Sequence, residues 1–154
     1  MMTKKGKLNT TKNRILNTIM IDGKKKTAEK ILLKSFKNLQ KKSSKKTSNI
    51  LSFAVKNSTP SFKMNHQKLK KKKRKTLQEI PTFIRNDFFR INLSLKLIVL
   101  NSKKKINSSS FFEKLTEELL NSTNFKSSSV AQKVELQKQI LLKKNLFFKY
   151  RWKK

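Results

Sequence analysis

Gly23 is followed at once by Lys24, Lys25 and Lys26, and an apolar row at helical spacing comes next. Three ammonium groups projecting from a turn do not make or break bonds; their chemistry is attraction of phosphate. The same chemistry recurs along the chain. Lys4, Lys5, Lys7, Lys12 and Arg14 form a basic arm at the start. Lys68, Lys70, Lys71, Lys72, Lys73, Arg74 and Lys75 form the densest run, and Lys103, Lys104 and Lys105 a further one. At the C-terminus Lys149, Arg151 and Lys153 alternate with Tyr150 and Trp152, two rings that either stack on exposed bases or pack against the fold. Lysine is a point charge on a flexible stem, so these runs position a nucleic acid rather than read its sequence. If about ten such cations met phosphates together, log affinity would fall against log salt with a slope near −7 to −9.

Catalytic chemistry finds no support. His66 is the only histidine, and it stands beside the lysine run with no acid–thiol or metal-ligand set around it. The eight carboxylates are scattered, mostly toward helix ends or into surface pairs. There is no cysteine, hence no disulfide framework and no thiolate metal site. Gly6 and Gly23 are the only glycines, so no glycine-rich phosphate loop exists. The serine clusters are not framed as nucleophiles and read as caps and linkers. No catalytic residue, metal, cofactor or small-molecule substrate is expected.

The elements that must carry these cations belong to one domain of 154 residues. Hydrophobic residues make up 35%, enough for a thin core. Forty basic residues against eight acidic ones give a formal charge of +32, which opposes compaction unless a polyanion lies alongside. The lysine-rich, alanine-poor and glycine-poor composition looks like translation from an AT-rich genome, and that bias accounts for part of the lysine content without function. Synthesis inside an organelle is the simpler expectation. No apolar run approaches the ~20 residues of a membrane span.

Periodicity marks the elements. Ile15, Leu16, Ile19 and Met20 share one helical face, and Gly23 reads as a left-handed residue ending that helix. Ala28, Ile31, Leu32, Ser35, Phe36 and Leu39 form a second stripe, and a Ser/Thr-containing linker can cap a third helix bearing Ile50, Leu51, Ala54 and Val55. Pro60 stops it. Residues 61–84 read as a β-hairpin whose basic tip, lacking Gly, Asn or Asp, is expected to be long, or disordered when alone. Phe88 to Leu100 fits both a strand, with Ile91, Leu93, Leu95 and Leu97 alternating, and a helix, with Phe88, Ile91, Leu95 and Ile98 on its apolar face; length tilts to helix. Helices after Ser108–Ser110 and from Val130 to about Phe148 complete the chain. The domain plan is thus an arm over residues 1–12 and a helical body over 13–154.

Seven segments, in order, resemble a known family. GKK, five residues, Ile-Leu, two residues and Ser (Gly23 to Ser35) resemble the signature of the bacterial-type small-subunit ribosomal protein seven. NTIMIDG resembles the family's first helix, NILSFAVKNSTP its third, and TLQEIP its return strand. RINLSLKLIV is similar to the fourth helix, which turns the ambiguous stretch into a helix, and FEKLTEELLNSTN to the fifth. The ending FFKYRW is similar to the family's aromatic-Arg-Trp terminus, and closer to mitochondrial than to plastid forms.

The resemblance implies a mostly α-helical domain of about six helices with a protruding hairpin. It implies binding to the 3′ major domain of small-subunit ribosomal RNA, support of head assembly, and a hairpin reaching toward the exit site and messenger path near platform protein eleven. Two departures stand out. The hairpin lacks the family's glycines, and Phe125 with serines replaces the glycines usual between the last two helices. The expectation is a structural component of the mitochondrial small ribosomal subunit. The rival is a nucleoid-type DNA-compacting protein, distinguished by binding duplex DNA comparably. A membrane-surface protein is disfavoured because the apolar stripes are shared among several helices.

Overall fold

Among the described residues, six α-helices and one antiparallel ribbon follow in the order α1 (Lys4–Ile19), α2 (Lys25–Lys42), α3 (Thr47–Ser58), β1 (Phe62–Lys71), β2 (Arg74–Phe83), α4 (Asp87–Lys104), α5 (Phe111–Thr123) and α6 (Ser128–Leu142), with a short 3-10 helix over Lys144–Lys149. This structure, a computed structural model, describes residues 4–71, 74–106 and 109–149, and side chains over 11–66, 78–106 and 109–146. The mostly α architecture with a hairpin is as the sequence implies.

One apolar cluster joins Ile15, Leu16 and Ile19 of α1, Leu32 and Leu39 of α2, Ile50 and Leu51 of α3, Leu95 and Ile98 of α4, and Leu115 and Leu119 of α5. Helix α5 lies at its centre, packed against α2, α3 and α4. A thin core suffices because serines take the small-residue positions where helices approach closely. Ser35, Ser58, Ser94, Ser102, Ser122 and Ser129 are fully buried. Three of their hydroxyls donate back along their own helix: Ser35 to the Leu32 carbonyl (2.8 Å), Ser102 to Ile98 (2.8 Å) and Ser122 to Glu118 (2.7 Å). The reading of the serine clusters as caps and linkers covers only Ser110 and Ser127 of the helix starts. The Glu113 carboxylate accepts the Ser110 N–H at 3.1 Å, and Ser127 Oγ accepts the Val130 N–H at 3.1 Å. At α3 the N-cap is Lys46, with no side-chain cap.

Several boundaries differ from the sequence reading. Helical backbone starts at Lys4, so residues 4–12, read as an arm, continue the helix that Ile15, Leu16 and Ile19 anchor to the core. Helix α1 ends at Ile19, and Gly23 serves a separate reverse turn instead of terminating the helix. Asp22 and Gly23 both take positive φ, 51° and 70°, and the Lys24 N–H donates to the Ile21 carbonyl at 3.0 Å, the pattern of an Asp-Gly type I′ turn. Such a turn strongly favours glycine at its second central position, which is why a chain with two glycines keeps one here.

The long hairpin tip does not occur. Pairing runs without a break from Phe62↔Phe83 to Lys71↔Arg74, leaving the connection to residues 72 and 73, which lie outside the described residues. Backbone pairing in a two-stranded ribbon does not depend on side-chain type. Helix α6 stops at Leu142, short of Phe148, where the chain tightens into the 3-10 helix against β2.

Candidate nucleic-acid interface

The base of the hairpin, α1 and the first turns of α4 enclose an open groove of about 720 Å³. Four cations line it: Arg14 from α1, Lys63 from β1, Arg85 from the β2–α4 link and Lys96 from α4. No carboxylate is among its lining residues. Three phenylalanines complete the walls, Phe83, Phe88 and Phe89, exposed by 41, 48 and 63%. Rings this open in a wall of cations are available to flat partners.

The chain fixes these rings locally. Asn86 caps α4, its side-chain oxygen accepting the Phe88 N–H at 2.8 Å, and so sets where Phe88 and Phe89 leave the helix. The Arg14 guanidinium lies over the Phe88 ring, 4.1 Å from its centroid, and the two phenylalanine rings meet edge to face at 6.2 Å. Across the groove, Phe83 packs edge to face on Phe62 at 5.4 Å, and the Arg90 guanidinium sits 5.4 Å from the Phe83 centroid while bonding Asp87 at 3.0 Å. Exposed rings and cations set side by side have the chemistry to stack on flat bases and hold phosphates, and Asn17, Asn86 and Asn92 stand on the same walls.

The residues singled out from the sequence distribute around this groove unevenly. Arg14 is in it. Lys12 is exposed on α1, and Lys4, Lys5 and Lys7 lie on its first turns, where only the backbone is described. Lys24, Lys25 and Lys26 are exposed where α2 begins; no acidic residue occupies that first turn, Glu29 meets Lys25 at 3.9 Å, and Asp22 stands in the turn just before. A helix start carrying three cations and its own positive dipole end favours an anion there. Lys68, Lys70, Lys71, Arg74 and Lys75 lie on the paired strands, with the backbone alone described; Lys72 and Lys73 fall outside the described residues. Lys103 and Lys104 are exposed at the end of α4.

Lys105 differs from its neighbours. Its ammonium lies 3.2 Å from Glu118 and 3.9 Å from Glu117, and Glu118 is buried, 1% exposed. This lysine closes an internal ion pair, and the reading of the carboxylates as helix-end or surface groups fails at Glu118. Glu118 Oε1 also accepts the Ser129 N–H at 3.1 Å and the Ser129 hydroxyl at 2.6 Å, which fastens α6 to α5. Lys149 ends the 3-10 helix, and Tyr150, Arg151, Trp152 and Lys153 lie outside the described residues.

Sequence reasoning passed over Lys63, Arg85, Lys96 and Phe89, and placed Phe88 on the apolar face of its helix. The available signal was the FFR triplet, two large rings beside a cation at a helix start.

Comparison with known proteins gives the family. The family model described as ribosomal protein S7p/S5e matches residues 2–141. Small ribosomal subunit protein uS7m of Reclinomonas americana is 25% identical over 139 residues, 90% of this chain and 83% of the relative. Small ribosomal subunit protein uS7c of Euglena longa is 33% identical over 123 residues, 80% and 66% of the two chains, and uS7 of Mycoplasma genitalium is 29% identical over 144 residues, 94% and 88%. With a family match over nearly its whole length and a fold to go with it, the chain belongs to the ribosomal protein S7p/S5e family, structural and non-enzymatic components of the small ribosomal subunit.

Proposed function

We propose that this chain serves the mitochondrial small ribosomal subunit, binding the 3′ major domain of its RNA and supporting assembly of the head. The observation that carries the RNA assignment is the groove: Arg14, Lys63, Arg85 and Lys96 beside the open rings of Phe83, Phe88 and Phe89, without a carboxylate. Duplex DNA offers phosphates but no unpaired bases to such rings, so the pairing of charge with exposed aromatics favours folded RNA over DNA compaction. Lys24–Lys26 and the hairpin add phosphate contacts on either side. In this reading the hairpin extends toward the exit site and messenger path, with ribosomal protein eleven as a neighbour. The mitochondrial assignment is supported by the Tyr150-Arg151-Trp152 ending and by the similarity to uS7m, while relatives also include plastid and bacterial forms.

Sedimentation tests it. Fractionated lysate of purified mitochondria should show the protein comigrating with the small subunit through moderate salt, with hydroxyl-radical protection in the 3′ major domain of the RNA. Comigration with plastid ribosomes overturns the organelle, and sedimentation with nucleoid DNA overturns the RNA assignment.

A further inference from the structure

The turn between α5 and α6 carries a feature that the groove does not explain. Phe125 holds a left-handed backbone, φ 59°, and its side chain is 68% exposed. It closes a Schellman turn, in which the Lys126 N–H donates to the Asn121 carbonyl at 2.9 Å. That position favours glycine; a phenylalanine there costs conformational free energy and gains no burial in return. A strained and solvated ring is a poor choice for the fold alone.

Its surroundings point to an anionic, aromatic partner. The Asn57 amide donates to the Ser122 and Thr123 carbonyls at 3.0 and 3.2 Å, which brings the last turn of α3 against the last turn of α5. Lys56, beside Asn57, and Lys126, beside Phe125, are both exposed. The Lys133 ammonium reaches the same junction and donates to the Asn57 carbonyl at 2.8 Å. From residue 119 to residue 134 the sequence contains no carboxylate. Phe53, half exposed, stands one helical turn before Asn57 on the same face of α3.

We propose that the α5–α6 turn is a second RNA-binding site, in which Phe125 stacks on an unpaired base while Lys56 and Lys126 hold the adjoining phosphates. The inference rests on the proposed RNA-binding function and adds a contact at the end of the bundle where α3, α5 and α6 meet. A protein pocket would accept the ring equally well, but it would gain nothing from exposed Lys56 and Lys126 near a segment, residues 119 to 134, that holds no carboxylate.

The test uses the full chain and a transcript of the 3′ major domain of small-subunit RNA from its own organism. Phe125→Gly removes ring and strain together, so it should melt at a higher temperature than wild type yet bind about ten-fold more weakly. Phe125→Trp should keep wild-type affinity, and Phe125→Leu should not. A photoreactive phenylalanine at 125 should crosslink to a nucleotide in assembled subunits. Equal affinity of Phe125→Gly and wild type overturns the site, and a crosslink to a protein reassigns the turn as a protein contact. If wild type itself fails to prefer this transcript over duplex competitor, the parent reading fails; wild-type binding with an indifferent Phe125→Gly sinks only the present inference.

Discussion

The Lys143 ammonium, where α6 ends, lies 2.6 Å from the Glu79 carboxylate on β2, and this contact joins the C-terminal end of the helical body to the hairpin. The bond and charge of Lys143 hold the Glu79 pKa below its ordinary value of 4.5, with a smaller push from His66, whose Nδ1 lies 3.8 Å away. A carboxylate with a lowered pKa in the folded chain contributes stability at pH above its unfolded value and loses it as pH falls through the folded one. Backbone amides at the hairpin base should therefore lose hydrogen-exchange protection below pH 4.5 faster in wild type than in Glu79→Gln. At neutral pH, Glu79→Gln and Lys143→Met should both show lower protection there than wild type. Equal protection in all three would show that the tether does not restrain the ribbon.

The two reverse turns give substitutions of opposite sign. Gly23 has φ 70° and nothing within 4 Å of the position a Cβ would occupy, so Gly23→Ala meets strain without a clash. It should lower unfolding free energy by about 1 kcal/mol. Phe125→Gly relieves the converse mismatch and should raise it by about 1 kcal/mol. Urea denaturation at constant ionic strength reads both, and m should not change.

Both turns also show how far the sequence carried the fold. Apolar spacing located α1, α2, α3 and α5, because a buried stripe such as Leu32 and Leu39 leaves a helical period, whereas the spacing in α4 fitted strand and helix alike and the family resemblance decided it. It failed where the deciding interaction lies far along the chain. Glu118 looks like any surface acid until Lys105 and Ser129 close around it. The register of the ribbon is set by backbone pairing, which lysine side chains do not mark. The candidate site divided in the same way. Runs of lysine stand out in the sequence as cationic clusters, whereas Lys63, Arg85 and Lys96 stand singly and become one surface only when α1, the ribbon and α4 converge.

Glu118 supplies a stability test independent of RNA. It is buried, meets Lys105, and accepts both the backbone N–H and the hydroxyl of Ser129. Glu118→Ala would leave a helix-start N–H without its acceptor and the Lys105 ammonium with only Glu117, 3.9 Å away. The expected loss is about 2–3 kcal/mol of unfolding free energy, with hydrogen-exchange protection falling first in the opening turn of α6. Lys105→Met leaves the carboxylate its serine partners, so it should cost less. The opposite order would mean that Lys105, not Ser129, is the main support of Glu118.

The groove separates two kinds of contact by their salt dependence. Lys96 contributes charge, and Lys96→Ala should weaken binding of the 3′ major-domain transcript while lowering the slope of log affinity against log salt by about 1. Phe89 contributes a ring that is 63% exposed and therefore carries little of the fold. Phe89→Ala should weaken binding by about 1–3 kcal/mol with the slope unchanged, since no counterion release accompanies stacking. Circular dichroism melts would match wild type for both variants. A Phe89→Ala protein with wild-type affinity would remove the stacking role and leave the groove as a purely electrostatic surface.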